Sequence, residues 1–248
     1  MKKYVISLII ASLVTFSACK KDKNTDTIVF GTSADYPPFE YRESGKIIGF
    51  EIDLVHLITK ELGTKAVFQD MQFSTILPAL ANKQIDAGVS TITITPERQK
   101  NFDFSDPYHF GTLATVFKTS TPVTETSQLI GEKIGCQLGT TMEIWLKKQV
   151  PEKDIILFDN NNLAIEALKA GHIDVVLIDG AQASAFTKKN SGLSDAIIAK
   201  SDDAYAIAFK KGSPLKEKIN HALKILIKKG EIKKLEQKWL EGSSQWKD

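Results

Sequence analysis

The chain has 248 residues, of which 42% are hydrophobic and 25% charged, enough apolar material for a sizeable core in one large domain or two smaller ones. Its formal charge is +2, and two of the positive charges are Lys2 and Lys3 at the extreme N-terminus, so the remainder is close to neutral and carries no basic field for nucleic acid. Two cysteines (Cys19, Cys136) and four scattered histidines (His56, His109, His172, His221) exclude a disulfide scaffold and offer neither a metal-ligand spacing nor a Cys/His catalytic pattern.

The N-terminus opens on a positive "MKK" and continues into "VISLIIASLVTF", an apolar run of secretory-signal length, short of the roughly 20 residues a membrane span needs. It closes on "FSAC", small residues before Cys19, which resembles a bacterial lipobox. That resemblance implies a signal peptide over 1–19 and a lipid anchor on Cys19, followed by a polar tether over 20–26. An uncleaved anchor, and an ordinary secretory signal with an incidental cysteine, are the competing readings.

From residue 27 onward, apolar β runs alternate with amphipathic helices. "TIVFGTS" reads as a strand, and "FEIDLVHLITKELG" as a helix with Ile52, Val55, Leu57, Ile58 and Leu62 near helical period and a stop at Gly63. "KAVFQDM" is a second strand, "STILPALANKQ" a short helix with Ser74 as its expected N-cap, and "IDAGVS" a third strand. This β-α-β-α-β order predicts a parallel sheet flanked by helices. The same grammar restarts after about residue 120, with strands at "EKIGCQLG", "DIILFD" and "IDVVLID" and helices at "TTMEIWLKKQV" and "NLAIEALKAG". "ALANKQIDAGVS" and "ALKAGHIDVVLID" repeat one phrase, a helix ending where a strand opens on Ile-Asp, which points to two α/β lobes on one plan. "GTLATVFKTS" and "DDAYAIAFKKGSP" are extended enough to cross between lobes. The C-terminal helix, broken near Gly230, sets a lysine-rich solvated face opposite Ile219, Leu223, Leu226 and Ile227. Cys136, between "KIG" and "QLG", reads as a small strand residue.

Short polar loops follow the strands, which is where open α/β sheets bind ligands. The segments "GTSADYPPFEY", "GFEIDL", "ILPALANKQIDAGVSTITITPERQKNFDFSDPY", "GCQLGTT", "AIEALKAGHIDVVLID" and "YAIAFKKGSPLKEKINHALKILIKKGEIKKLEQKW" run through nearly the whole mature chain. In that order the chain resembles the bacterial extracellular solute-binding proteins of the polar amino-acid uptake family, the lipoprotein or periplasmic receptors of ABC importers. The resemblance implies a two-lobed α/β fold of type II with the ligand cleft between lobes. Lobe 1 is expected over 27–115 plus 206–248 and lobe 2 over 116–205, with hinge strands near 114–119 and 203–209.

The physics of a buried amino acid fits the matching residues, since its carboxylate and ammonium each need a charged, hydrogen-bonded partner once desolvated. Arg98 offers a planar, permanently charged fork for the carboxylate, although an ion pair with Glu97 or Asp103 is the ordinary alternative for such an arginine. By resemblance, Ser90, Thr91 and Thr93 add hydroxyl and backbone groups around the ligand head, Thr141 donates to the carboxylate from a helix start, and Asp179 accepts from the ammonium, or caps a helix, or does both. Tyr36 and Phe73 fall where two rings flank the ligand's side chain and suit a flat cationic tail, while Phe73 also reads as core. Ser33 and Glu40 complete the expected ligand set, and Glu40 or Asp35 would neutralise a basic tail. The expected ligand is a polar or basic L-amino acid, leaning to arginine, lysine or histidine. The expected partners are an inner-membrane ABC permease and the membrane itself through the lipid, with the receptor a monomer and no metal or cofactor. Two other readings stay open: a cyclohexadienyl dehydratase on the same fold, with Glu40 or Glu143 as general acid, and a lipid-anchored adhesin or surface antigen.

Overall fold

A computed structural model of the chain describes residues 26–240. The expected signal peptide, Cys19 and residues 20–25 lie outside the described residues.

Strand β1 (Thr27–Thr32) buries Ile28 and Phe30 and leads into a small antiparallel sheet of β2 (Asp35–Tyr36), β3 (Glu40–Glu43) and β4 (Lys46–Ile48). Helix α1 (Phe50–Leu62) buries Ile52, Leu54, Val55 and Ile58 on one stripe and ends at Gly63, whose left-handed φ of 67° closes the helix as only glycine does cheaply. Strand β5 (Lys65–Asp70) then pairs parallel with β1, and after α2 (Phe73–Ala81), β6 (Ala87–Gly88) pairs parallel with the other side of β1. The cap of α2 is the extended backbone of Gln72, not Ser74, which lies inside the first turn; no side chain caps this helix end. One turn of helix, α3 (Pro96–Gln99), and the short β7 (Phe102–Phe104) complete this pass.

The chain changes sheets at residues 105–108. All of β8 (His109–Lys118) belongs to the second sheet, earlier than the 114–119 expectation, because the extended run pairs along its whole length there. It is followed by β9 (Ile134–Gln137), α4 (Thr141–Gln149), β10 (Ile155–Phe158), α5 (Asn161–Ala170), β11 (Val175–Asp179), α6 (Gly180–Lys189) and β12 (Leu193–Tyr205). The chain re-enters the first sheet with β13 (Ala208–Lys210) and finishes on α7 (Leu215–Lys228) and α8 (Glu231–Trp239). Gly230 separates these last two helices, and Ile227 is 53% exposed rather than part of the buried stripe of Ile219, Leu223 and Leu226.

The two sheets share a plan. The first runs β5-β1-β6-β13-β7 and the second β10-β9-β11-β8-β12, each with four strands in one direction and one against them, β13 in the first and β8 in the second. These reversed strands, β8 and β13, are the ones that follow the two crossings between sheets. Buried clusters lie on both faces of each sheet: α1, α7 and α8 cover one face of the first and α2 the other. In the second, the cluster of Leu129, Ile134 and Leu146 covers one face and that of Ile165, Val176 and Phe186 the other. Cys136 is buried in β9, and burial pushes its thiol up to about 12, so it stays an unreactive small core residue. The central contribution of α1 sets an expectation: Leu54→Ala, at a position with no exposed surface, loses about 2–5 kcal/mol of stability, read from a urea melt.

Candidate ligand-binding site

The C-terminal ends of the parallel strands in both lobes face one cleft, where the topology of such sheets places ligands. Its walls are Tyr36, Phe73, Thr91, Thr93, Arg98, Gln137, Thr140, Thr141, Met142 and Tyr205. The lobes are drawn together, and the enclosed space is about 10 Å³, room for roughly one water. A larger cavity of about 570 Å³ lies elsewhere on the first lobe, beside Asp26, Leu62 and Lys218, and includes none of the expected site residues.

Arg98 is held by its own local structure. Pro96 starts α3, and the Thr95 side chain caps it by accepting from the Arg98 amide at 3.1 Å. From there Arg98 Nη1 donates to the Thr93 carbonyl at 2.8 Å, and Nη2 crosses the cleft to the Gly139 carbonyl at 3.0 Å. Its guanidinium carbon lies 5.9 Å from the centre of the Phe73 ring. The two acids near it in sequence are engaged elsewhere, Glu97 with Lys100 and Asp103 with Lys211. Thr93 Oγ1 and Thr141 Oγ1 meet across the cleft at 3.4 Å. Thr141 begins α4, whose cap is Thr140: its Oγ1 accepts from the Glu143 amide at 3.3 Å and donates to the Gln137 carbonyl at 2.7 Å.

Asp179 ends β11 and caps α6, so the capping role is real. Oδ1 accepts from the Ala181 amide at 2.8 Å, and Oδ2 accepts from the Tyr205 hydroxyl at 2.9 Å and the Thr112 amide at 3.1 Å. A carboxylate has about four acceptor positions, so these three donors leave room for one more. Asp179 is buried behind the wall, while Tyr205, which holds it, is part of the wall.

Ser33, Ser90, Glu40 and Thr91 form a layer under the cleft rather than a single set of ligand contacts. Ser90 Oγ donates to Glu40 Oε1 at 2.7 Å and accepts from the Ser33 amide at 3.2 Å. Thr91, in the left-handed region at φ 45°, donates its amide to Glu51 Oε1 at 2.8 Å, and the Tyr108 hydroxyl donates to the same oxygen. Of this layer only Thr91 reaches the cleft lining. Glu40 has no exposed surface; burial, then the neighbouring Glu51 carboxylate, push its carboxyl well above the usual range, and burial also raises Glu51. Both carboxyls are thereby biased toward the protonated form. Asp35, like Ser33 and Glu40, is not part of the lining. Burial, with opposition from Asp70, lifts its carboxyl to about 6 against the pull of the Ser33 hydroxyl, and its carbonyl accepts from Asn162 Nδ2 of the second lobe at 3.3 Å. Glu143, the other acid weighed for dehydratase chemistry, pairs with Lys147 at 2.8 Å and accepts from the Gly139 amide at 2.8 Å. Neither it nor Glu40 lines the cleft.

Four wall residues were not among the expected ligand contacts: Gln137, Thr140, Met142 and Tyr205. The first three sit in or beside "GCQLGTT", a polar loop after a strand, which is the signal that points to them. Tyr205 is hidden in the apolar alternation of "AYAIAF".

Comparison with known proteins places this geometry. The family model of bacterial extracellular solute-binding proteins, family 3, matches residues 28–242. The arginine-binding extracellular protein ArtP of Bacillus subtilis (strain 168) is 36% identical, over 98% of this chain and 99% of its own. An ancestral arginine-binding protein bound to arginine superposes with a TM-score of 0.82 at 40% identity, covering 86% of this chain and 98% of that one. An ancestral arginine-binding protein bound to glutamine gives 0.83 at 41%, over 86% and 97%.

The buried acid pair has a defined pH signature. Because Glu40 titrates above its ordinary 4.5 in the folded protein, the native state keeps a proton that the unfolded chain releases, so stability present below that pH is lost as pH rises toward the folded value. Glu40→Gln is expected to shrink this loss, measured as the difference in unfolding free energy between about pH 4.5 and about pH 8; an undiminished loss in the variant would contradict the assignment. A second expectation concerns Gly111, where a Cβ would stand 2.7 Å from Tyr205 Cζ and 2.8 Å from Asp179 Oδ2. Gly111→Ala displaces that pair, lowering the thermal midpoint by several degrees in a melting curve.

Proposed function

The chain belongs to the bacterial extracellular solute-binding proteins, family 3, and from that premise we propose that it captures L-arginine, or a similar polar L-amino acid, for an ABC importer by closing its two lobes on the ligand. It is a binding protein rather than an enzyme, and it works outside the cytoplasm. The observation that carries the ligand reading is Arg98, whose two Nη groups already engage one carbonyl from each lobe. A ligand carboxylate takes the place of the Gly139 carbonyl as the charged partner of that fork, a stronger acceptor in bidentate geometry. Thr141 adds its hydroxyl at the N-terminus of α4, where the helix favours negative charge. The ammonium takes the remaining acceptor position of Asp179, beside Tyr205. The tail runs between Tyr36 and Phe73, faces that suit a guanidinium.

Closure follows from where these groups sit. Arg98 and Thr93 belong to the first lobe, Thr141 and Asp179 to the second, so the full contact set exists only when the lobes meet. A ligand that binds the closed form better shifts the population toward it by that difference in affinity. The closed receptor is then what an inner-membrane permease recognises, with Cys19 as the lipid anchor and the receptor acting as a monomer.

Arg98→Ala is expected to weaken arginine binding by at least ~100-fold while leaving the unfolding transition in place, since the charged carboxylate loses its partner. Isothermal titration of variant and parent with arginine measures it. Unchanged affinity would remove Arg98 from the site.

A further inference from the structure

The small sheet of the first lobe reaches the second lobe at two points outside the cleft. In β2, the Asp35 carbonyl accepts from Nδ2 of Asn162, in the first turn of α5, at 3.3 Å. In β3, Nζ of Lys189, the last residue of α6, lies over the Tyr41 ring, 5.8 Å from its centre. Asp35 and Tyr41 stand opposite each other in one antiparallel pair, so both contacts fall on a single hairpin. None of these four residues lines the ligand cleft. The hairpin is firmly seated in its own lobe. Tyr41 packs edge-on against Trp239 of α8 with ring centres 6.3 Å apart, and the Phe50 and Glu51 amides donate to the Pro38 and Phe39 carbonyls at 3.0 and 2.9 Å. Gly49 permits that close approach, because a Cβ there would stand 2.2 Å from the Phe39 carbonyl oxygen.

We propose that this hairpin and the facing ends of α5 and α6 form a latch, in which Asn162 and Lys189 are positioning residues that favour the closed form without touching the ligand. The inference rests on the receptor reading above and goes beyond it by separating how tightly the lobes hold from what they hold. Each contact is weak alone, one a neutral hydrogen bond and the other an exposed cation over a ring. Both join one lobe to the other, so they exist only when the lobes meet. They therefore enter the open–closed equilibrium in full, and apparent affinity scales with the population of the closed form. A contact made to the ligand acts on the ligands that can make it, whereas the latch multiplies every affinity by one factor. The competing role for both residues lies within the second lobe, where Lys189 suits the C-terminal end of α6 and Asn162 fills an exposed position in the first turn of α5.

The test is calorimetry with L-arginine on the parent chain and on the double variant Asn162→Ala/Lys189→Ala. The variant is expected to bind at least ~5-fold more weakly, the product of two modest losses. A role confined to the second lobe leaves the affinity unchanged, and that outcome overturns the proposal while the receptor reading stands. Any other standard amino acid that the parent binds is expected to lose the same factor, and a shift in the ratio between two ligands overturns the latch as well. A second comparison isolates the contact across the lobes. Lys189→Ala made beside Tyr41→Leu is expected to cost no further affinity, because the ring it needs is already gone; equal losses in both backgrounds overturn the assignment. Binding of no amino acid by the parent overturns the receptor reading and the latch together.

Discussion

The two strands that carry the chain between sheets are bonded to each other where they pass, and the cleft depends on that tie. The Tyr108 amide donates to the Tyr205 carbonyl at 3.1 Å, and the Ser105 amide to the Ile207 carbonyl at 2.9 Å. Each crossing then sends a tyrosine hydroxyl into a different lobe: Tyr108 to Glu51 in the first, Tyr205 to Asp179 in the second. A rotation of one lobe against the other must pass through this short pair of strands, so both acids keep their places relative to the axis. Motion about a few such residues is the usual form of hinge closure.

The buried acids around this axis show how environment sorts similar groups. Asp179 accepts three hydrogen bonds and can take a fourth, which suits it to hold a positive charge. Glu40 has one donor, Ser90, and a second carboxyl for a neighbour, and burial with that neighbour pushes its carboxyl well above the usual range. The first arrangement fixes the start of α6 and ties it to Tyr205. The second belongs to the support of Ser90 and Thr91, whose left-handed backbone is pinned by the amide bond to Glu51. Helix capping and loop geometry are thus handled by separate carboxylates.

Local periodicity was enough for most of the architecture. The stripe of α1 and its stop at Gly63, the matched Ile-Asp strand openings at β6 and β11, and the break at Gly230 are all short-range signals that the fold repeats. Arg98, Thr93, Thr141, Tyr36 and Phe73 were legible as a set only through the order of the motifs, and they share one cleft. What stayed hidden depends on partners far away in sequence. Glu51 looks like any acid in a first helical turn until Thr91 and Tyr108 arrive at it, 40 and 57 positions later. Tyr205 looks like core until its hydroxyl meets Asp179. Ser74 was placed by composition at a cap that the extended Gln72 takes, one residue before the helix begins.

The interruption of the first lobe has a consequence for the order of assembly. The second sheet is one unbroken stretch, from β8 to β12, and needs nothing beyond Tyr205 to be complete. The first sheet has its central β6 edge open until β13 arrives, and one face of α1 stays bare until α7 and α8 follow. A chain delivered from its N-terminus therefore finishes its middle before its beginning. Until residue 208 is available, the nascent first lobe exposes both a strand edge and an apolar face, the two features that most invite association with other chains.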